Sequence, residues 1–295
     1  MKYVFFGTPE FAAIILEKLV KARILPSVVI ANPDKPVGRK KIITPPPVKQ
    51  LTAKSKAQIE ILQPEKIDNY LITKLLSYNL DFFVIAAYSK ILPKEILDIP
   101  KLGVIGVHPS LLPKYRGPTP IQTAILNGEK ETGVTLFLTD EKIDHGPILT
   151  KRKLQISNSD NYEILMEKLA ELGADLLIET LPTFMNGKTK PEPQNESEAT
   201  YSKKFKTEDA FVNLEKDNPI IIERKIRALN PEPGVWTIWQ NEKPFGTAQG
   251  KRVKLLEAEL IQKKSRRPDG IGAPTETSEL KLKKIQVEGK KPTTI

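Results

Sequence analysis

The chain of 295 residues predicts a doubly wound α/β fold followed by a smaller β domain, on three observations. A β-branched and aromatic run, Lys2 to Gly7, passes through a glycine turn into an amphipathic stretch, Glu10 to Val20. Three further apolar runs, Ser27 to Ala31, Asp81 to Ala87 and Leu102 to Val107, lack polar alternation, as strands covered by helices on both faces do. Beyond a polar stretch near residue 190, short strands separated by turns predict a small barrel.

The first helix has a start signal, with Thr8 as expected N-cap and Pro9 at the first helical position. Val134 to Leu138 reads as another buried strand. Asp160-x-x-Glu163 opens a long helix to about Met185, with Ile164, Leu165, Leu169, Leu172 and Leu176 at helical spacing. Residues 186–200, polar and proline-containing, read as a linker between a domain at 1–185 and one at 201–295. The second domain predicts a helix over Pro219 to Ala228 and strands over Val235 to Gln240, Val253 to Leu260 and Leu280 to Gln286. Lys263 to Glu276 reads as a hairpin loop, and core packing is the favoured reading for Trp236 and Trp239 on the first of these strands.

Composition narrows the chemistry. There is no cysteine, which excludes disulfides, thiolate catalysis and Cys-based zinc sites, and two histidines argue against a His-rich metal centre. No apolar run approaches the ~18 residues of a membrane span, and the start MKYVFFGTPEFA lacks the apolar core of a leader, so a cytoplasmic protein without a membrane partner is expected. Net charge is +10, and residues 201–295 carry 20 Lys and Arg against 13 Asp and Glu. A basic domain suits a polyanionic partner such as RNA.

Both histidines fall between Gly103 and Leu149. His108 ends the apolar run, then come Ser110-Leu-Leu-Pro113 and Tyr115-Arg-Gly-Pro118 in a turn-rich loop. Asp144-His-Gly-Pro147 follows the next strand. A histidine and an aspartate placed so can meet at one edge of an open sheet, where such folds build their sites. There His108 suits general base and acid duty, with Asp144 orienting the imidazole, while His145 reads as an ordinary loop histidine. A loop holding Lys35, Arg39, Lys40 and Lys41, punctuated by Pro36 and Gly38, can follow a phosphate backbone.

These motifs resemble the formyltransferase superfamily that uses 10-formyltetrahydrofolate. Its site pattern is Asn-x-His, then SLLP, then an Asp-x-Gly loop; His108, Ser110, Leu111, Leu112, Pro113 and Asp144 match it, and Gly106 stands at the asparagine position. Phe83-Val-Ile-Ala-Ala-Tyr-Ser-Lys-Ile-Leu-Pro93 resembles the segment that helps hold the pterin, which implicates Tyr88, Ile91 and Leu92, and the downstream loop implicates Asp140. The basic loop with Pro45-Pro-Pro-Val-Lys49 resembles an insertion of the methionyl-tRNA formyltransferase family. Ala199 to Phe205, Ile226 to Pro231, Pro233 to Thr237 and Gly289 to Pro292 resemble that family's carboxy-terminal domain. The resemblance implies a Rossmann-like folate domain, an OB-like barrel and formyl transfer to initiator methionyl-tRNA; a monomer without a metal is expected. Two other readings stay open: a tRNA-binding homologue without transfer, and transfer to a sugar-nucleotide or ribonucleotide amine.

Overall fold

The structure is a computed structural model, and it describes residues 1–38, 40–55, 57–239, 251–265 and 275–295. The chain divides into two units: residues 1–120, 131–155 and 165–202, and residues 121–130, 156–164 and 203–295.

In the first unit a seven-stranded sheet forms among the described residues, in the order β5-β2-β1-β6-β7-β8-β9. These strands are β1 (Tyr3–Gly7), β2 (Val28–Ile30), β5 (Glu60–Leu62), β6 (Phe82–Ala86), β7 (Val104–His108), β8 (Glu131–Leu138) and β9 (Ile148–Gln155). The first five run parallel; β8 and β9 are antiparallel to their neighbours. The order reverses between β1 and β6, which creates the crevice that open α/β sheets use for ligands.

Helices follow the parallel strands: α1 (Glu10–Lys21), α2 (Pro47–Lys54), α3 (Asn69–Leu76) and α4 (Lys94–Leu97). One face of the sheet, with Val4, Phe6, Val28, Ile30, Phe83 and Val104, packs against Leu71, Leu75, Leu92 and Ile96. The long α6 (Tyr162–Met185) begins in the second unit and runs on into the first. Within the first unit it sends Phe184 edge-on against Phe82, centroids 6.1 Å apart.

The start of α1 differs from the sequence reading. Pro9 occupies the N-cap position and no side chain caps the helix. The Thr8 hydroxyl instead accepts the Asn32 N–H at 3.1 Å, tying the ends of β1 and β2 together. A neighbouring strand end outcompeted the helix for that oxygen. The basic loop is a hairpin of β3 (Lys35–Val37) and β4 (Ile42–Thr44), with Lys35 opposite Thr44. Strand β9 was not read from sequence because its run Ile148–Gln155 is an edge strand whose exposed Lys151 and Lys153 flank a half-buried Arg152.

The second unit holds α5 (Pro120–Asn127, from Ile121), α7 (Pro219–Leu229) and an antiparallel sheet in the order β10-β11-β12-β13. These strands are β10 (Trp236–Trp239), β11 (Lys251–Ser265), β12 (Thr275–Val287) and β13 (Thr293–Thr294). The Asn218 side chain accepts the Ile220 N–H and Pro219 begins α7, a standard start. Ile222, Ile226, Leu229, Val235, Val253 and Leu255 are buried and form the core of this unit. Trp236 packs on Phe211 at 4.8 Å, donates its indole N–H to Thr207 O, and has the Arg252 guanidinium 4.2 Å above its ring. It is a packing residue, as expected. The side chain of Trp239, residue Gln240 and most of the expected hairpin loop at 263–276 lie outside the described residues.

Candidate active site

His108 is the last residue of β7 and its side chain is 7% exposed. Ring atom Nε2 lies 2.8 Å from the Tyr115 carbonyl oxygen, and Nδ1 lies 3.5 Å from Asp144 Oδ2. Both neighbours are oxygen acceptors, so the tautomer decides which contact carries the proton. Asp144 sits at φ +47°, a left-handed conformation that aspartate tolerates better than most residues. Its Oδ2 also accepts the Gly117 N–H at 2.7 Å. The structure therefore brings His108 and Asp144 together, as the motif spacing predicts.

Gly106 lies two residues before His108, on the same face of β7. It is flanked by Ile85 of β6 and Phe137 of β8, so its peptide groups serve the ladder. A Cβ built on Gly106 overlaps the Phe137 ring, which is 3% exposed. The space a side chain at 106 would take is filled by that phenyl group.

The SLLP loop is held from below. Thr135 Oγ1 donates to Ser110 O at 2.7 Å and accepts the Leu112 N–H at 3.1 Å. Ser110 and Leu112 are wholly buried, and Ser110 Oγ donates to Lys114 O. Leu111 packs over Gly133, and Pro113 O accepts the Thr200 N–H at 3.2 Å. These residues shape the loop rather than present side chains to solvent. Tyr88 stands edge-on to Phe6 at 5.4 Å, its hydroxyl buried without a partner, and burial pushes that hydroxyl up to about 12. Leu92 is in the core, whereas Ile91 is 79% exposed. Asp140 Oδ2 pairs with His145 Nδ1 at 2.6 Å, so Asp140 and His145 face each other.

Two residues central to this geometry were missed by sequence reading. Arg116 is fully buried, and its guanidinium donates to Gln194 Oε1, to both Glu196 carboxylate oxygens and to Tyr201 Oη. The Glu196 carboxylate raises the Arg116 pKa, and Arg116 lowers that of Glu196. Gln194 Nε2 in turn donates to Asp144 O at 2.9 Å and Gly146 O at 2.8 Å. The segment read as a linker thus packs within the first unit and braces the Asp144 loop. Polarity hid this: nothing local marks Gln194 as a brace.

At the basic hairpin, Lys35, Lys40 and Lys41 are exposed, together with Val37, Ile42 and Ile43; Arg39 lies outside the described residues. Its base is fixed by Asp34, which binds Lys49 at 2.9 Å and Gln63 at 2.7 Å; Lys49 first, then Gln63, lowers the Asp34 pKa. Lys90 has its pKa lowered by burial and then by Lys35, a mark of crowded positive charge. Among the described residues no cluster of His, Cys, Asp and Glu is arranged to hold a metal, and no helix is long and apolar enough to cross a membrane.

Comparison with known proteins gives a consistent picture. A family model described as formyl transferase matches residues 1–181, and one described as formyl transferase, C-terminal domain, matches residues 204–295. A methionyl-tRNA formyltransferase of Halalkalibacterium halodurans is 38% identical over 302 residues, covering 99% of this chain and 92% of that protein. Another, of Dictyoglomus thermophilum, is 41% identical over 298 residues, covering 99% and 94%. Among solved structures, WlaRD, a sugar 3N-formyl transferase crystallised in the presence of dTDP and 5-N-formyl-THF, aligns with a TM-score of 0.60 at 23% identity, covering 88% of this chain and 86% of that one.

Proposed function

Because the chain belongs to the formyl transferase family in both of its domains, we propose that it transfers a formyl group to the α-amino group of initiator methionyl-tRNA. The observation that carries this reading is the near full-length identity to relatives of that name. The donor is 10-formyltetrahydrofolate, which supplies an activated formyl group when bound.

The residues fit such a donor. The loop from Ala87 to Leu92 lies outside helix and ladder, so its backbone groups are available to a pterin-like ring. The unpartnered Tyr88 hydroxyl offers a further hydrogen bond. Tyr88, Ile91, Leu92, the Ser110–Pro113 loop and Asp140 form the folate side of the site. His108 takes the proton that the amine loses as its bond to the formyl carbon forms. It returns a proton to the leaving nitrogen as that bond breaks. Nε2 faces Tyr115 O and Nδ1 faces Asp144, so the nitrogen that exchanges a proton with substrate gives up one of these contacts to do so. Asp144 fixes the ring and balances the imidazolium charge. Gly106 offers neither a side chain nor a free N–H, so charge developing on the formyl oxygen is met by the protonated His108.

The basic hairpin and the second unit are the RNA-binding regions of this reading. The bulged β11–β12 hairpin supports closure of that unit into an OB-like barrel. The protein acts as a monomer in the cytoplasm. The test is single-turnover formylation of methionyl-tRNA by the purified protein with 10-formyltetrahydrofolate. Product is expected on methionyl-tRNA; product only on a sugar-nucleotide or ribonucleotide amine would overturn the reading.

Neutralising Arg39, Lys40 and Lys41 together is expected to weaken tRNA binding and flatten its salt dependence. The slope of log K against log salt falls by about 0.7–0.9 for each phosphate no longer neutralised. Folate affinity stays unchanged, and an unaltered slope would assign the hairpin to solvent.

A further inference from the structure

A recess of about 40 Å³ opens in the second unit beside the end of α5, residues 156–158 and α7. One water needs roughly 10–15 Å³ of such space, so the recess has room for the outer oxygens of one phosphate. It is lined by Arg224, Arg227, Lys130 and Asn158, with Glu129 as a carboxylate on its wall. Arg224 and Arg227 are three residues apart and share one face of α7.

The two arginines differ in what they already hold. Arg227 is committed: it pairs with both Glu223 carboxylate oxygens and donates to Asp160 O at 2.9 Å. Arg224 makes no hydrogen bond or ion pair among the described residues. It is nonetheless seated, because a Cβ built on Gly128 would overlap its guanidinium. Gly128 has φ +68°, a conformation side chains disfavour, so this position suits glycine twice over. The result is a guanidinium positioned by packing, with its donors unspent among the described residues. Its planar fork matches the oxygens of a phosphate.

We propose that this recess is a phosphate site filled by one backbone phosphate of the bound RNA. The proposal rests on the tRNA reading above and names one point at which that RNA is held. The basic surplus of residues 201–295 favours a polyanion over a lone small anion.

The experiment measures methionyl-tRNA affinity from about 50 to 200 mM salt for wild type, Arg224→Gln, Arg224→Lys and Gly128→Ala, with a thermal melt of each. Arg224→Gln should lower the salt slope by about 0.7–0.9, the share of one phosphate, and weaken tRNA binding. Arg224→Lys should keep the slope but bind more weakly, since an ammonium lacks the fork. Gly128→Ala should weaken binding at unchanged net charge by displacing the guanidinium. Wild-type slope and affinity in a well-folded Arg224→Gln protein would overturn the proposal. Should that variant melt early, Arg224→Lys decides: affinity equal to wild type overturns the site. A melt shift with inorganic phosphate in wild type but not in Arg224→Gln, beside an unchanged RNA slope, would assign the recess to a free anion and overturn the RNA assignment. Failure of wild type to formylate methionyl-tRNA would instead fail the functional reading itself.

Discussion

His108→Ala is expected to lower single-turnover formylation of methionyl-tRNA by about 10²–10⁴, the range that a positioned acid–base group contributes. Its imidazole is buried at the end of β7, so the change should leave tRNA affinity near the wild-type value while the chemical step collapses. Asp144→Asn should move the rate in the same direction. Asparagine keeps the left-handed backbone at 144 and can still accept from Gly117, but it removes the charge facing His108 Nδ1. The comparison separates folding from catalysis: both proteins should melt close to wild type. Rates within a factor of two of wild type in both variants would show that proton transfer happens elsewhere.

Gly106→Asn carries the second large effect, and its sign depends on Phe137. The family asparagine would supply an amide to the developing oxyanion, and a donor of that kind is worth about 10²–10³ in rate. Gly106 is not at positive φ, so backbone strain does not forbid asparagine there. The Phe137 ring does, because it already occupies the Cβ position. Gly106→Asn alone should therefore destabilise the fold by about 1–3 kcal/mol, the usual cost of overpacking, with no gain in rate. Phe137→Ala alone should cost about 3–5 kcal/mol through the cavity it leaves. The two together should be more stable than the sum of the singles predicts, since each offsets the other's volume error. The rate at saturating substrates should rise above wild type in the double variant only. Additive melts with no rate gain would mean that the amide cannot reach the reacting carbonyl from 106.

The sequence disclosed most of what periodicity and motif can carry. β1, β2, β6 and β7 were legible because strands buried on both faces are continuous apolar runs. His108 and Asp144 were legible as residue types at a spacing. The features that tune the site were not. Phe137 reads as one more apolar residue of a strand, and its overlap with position 106 depends on the register that sets β8 against β7. Thr135 looks like any β-branched strand residue, yet its hydroxyl anchors two peptide groups of the SLLP loop. Thr8 followed the local rules for a helix cap, and a tertiary partner, the Asn32 N–H, took its oxygen instead. Such choices are decided by what the chain brings alongside, which no local window contains.

The brace formed by Arg116, Gln194 and Glu196 also sets where the catalytic unit can be cut. A fragment ending at Met185, where the long helix stops, would strip a wholly buried guanidinium of its carboxylate and its amide partner. It would also release the carbonyls of Asp144 and Gly146, and with them the loop that aims the aspartate. A fragment ending at Ser202 keeps all of these and the Ser202 hydrogen bonds to Arg116. The minimal excisable enzyme core therefore extends through the polar tail. A protease acting between 186 and 202 would sever the site from its own scaffold, not simply divide one domain from the other.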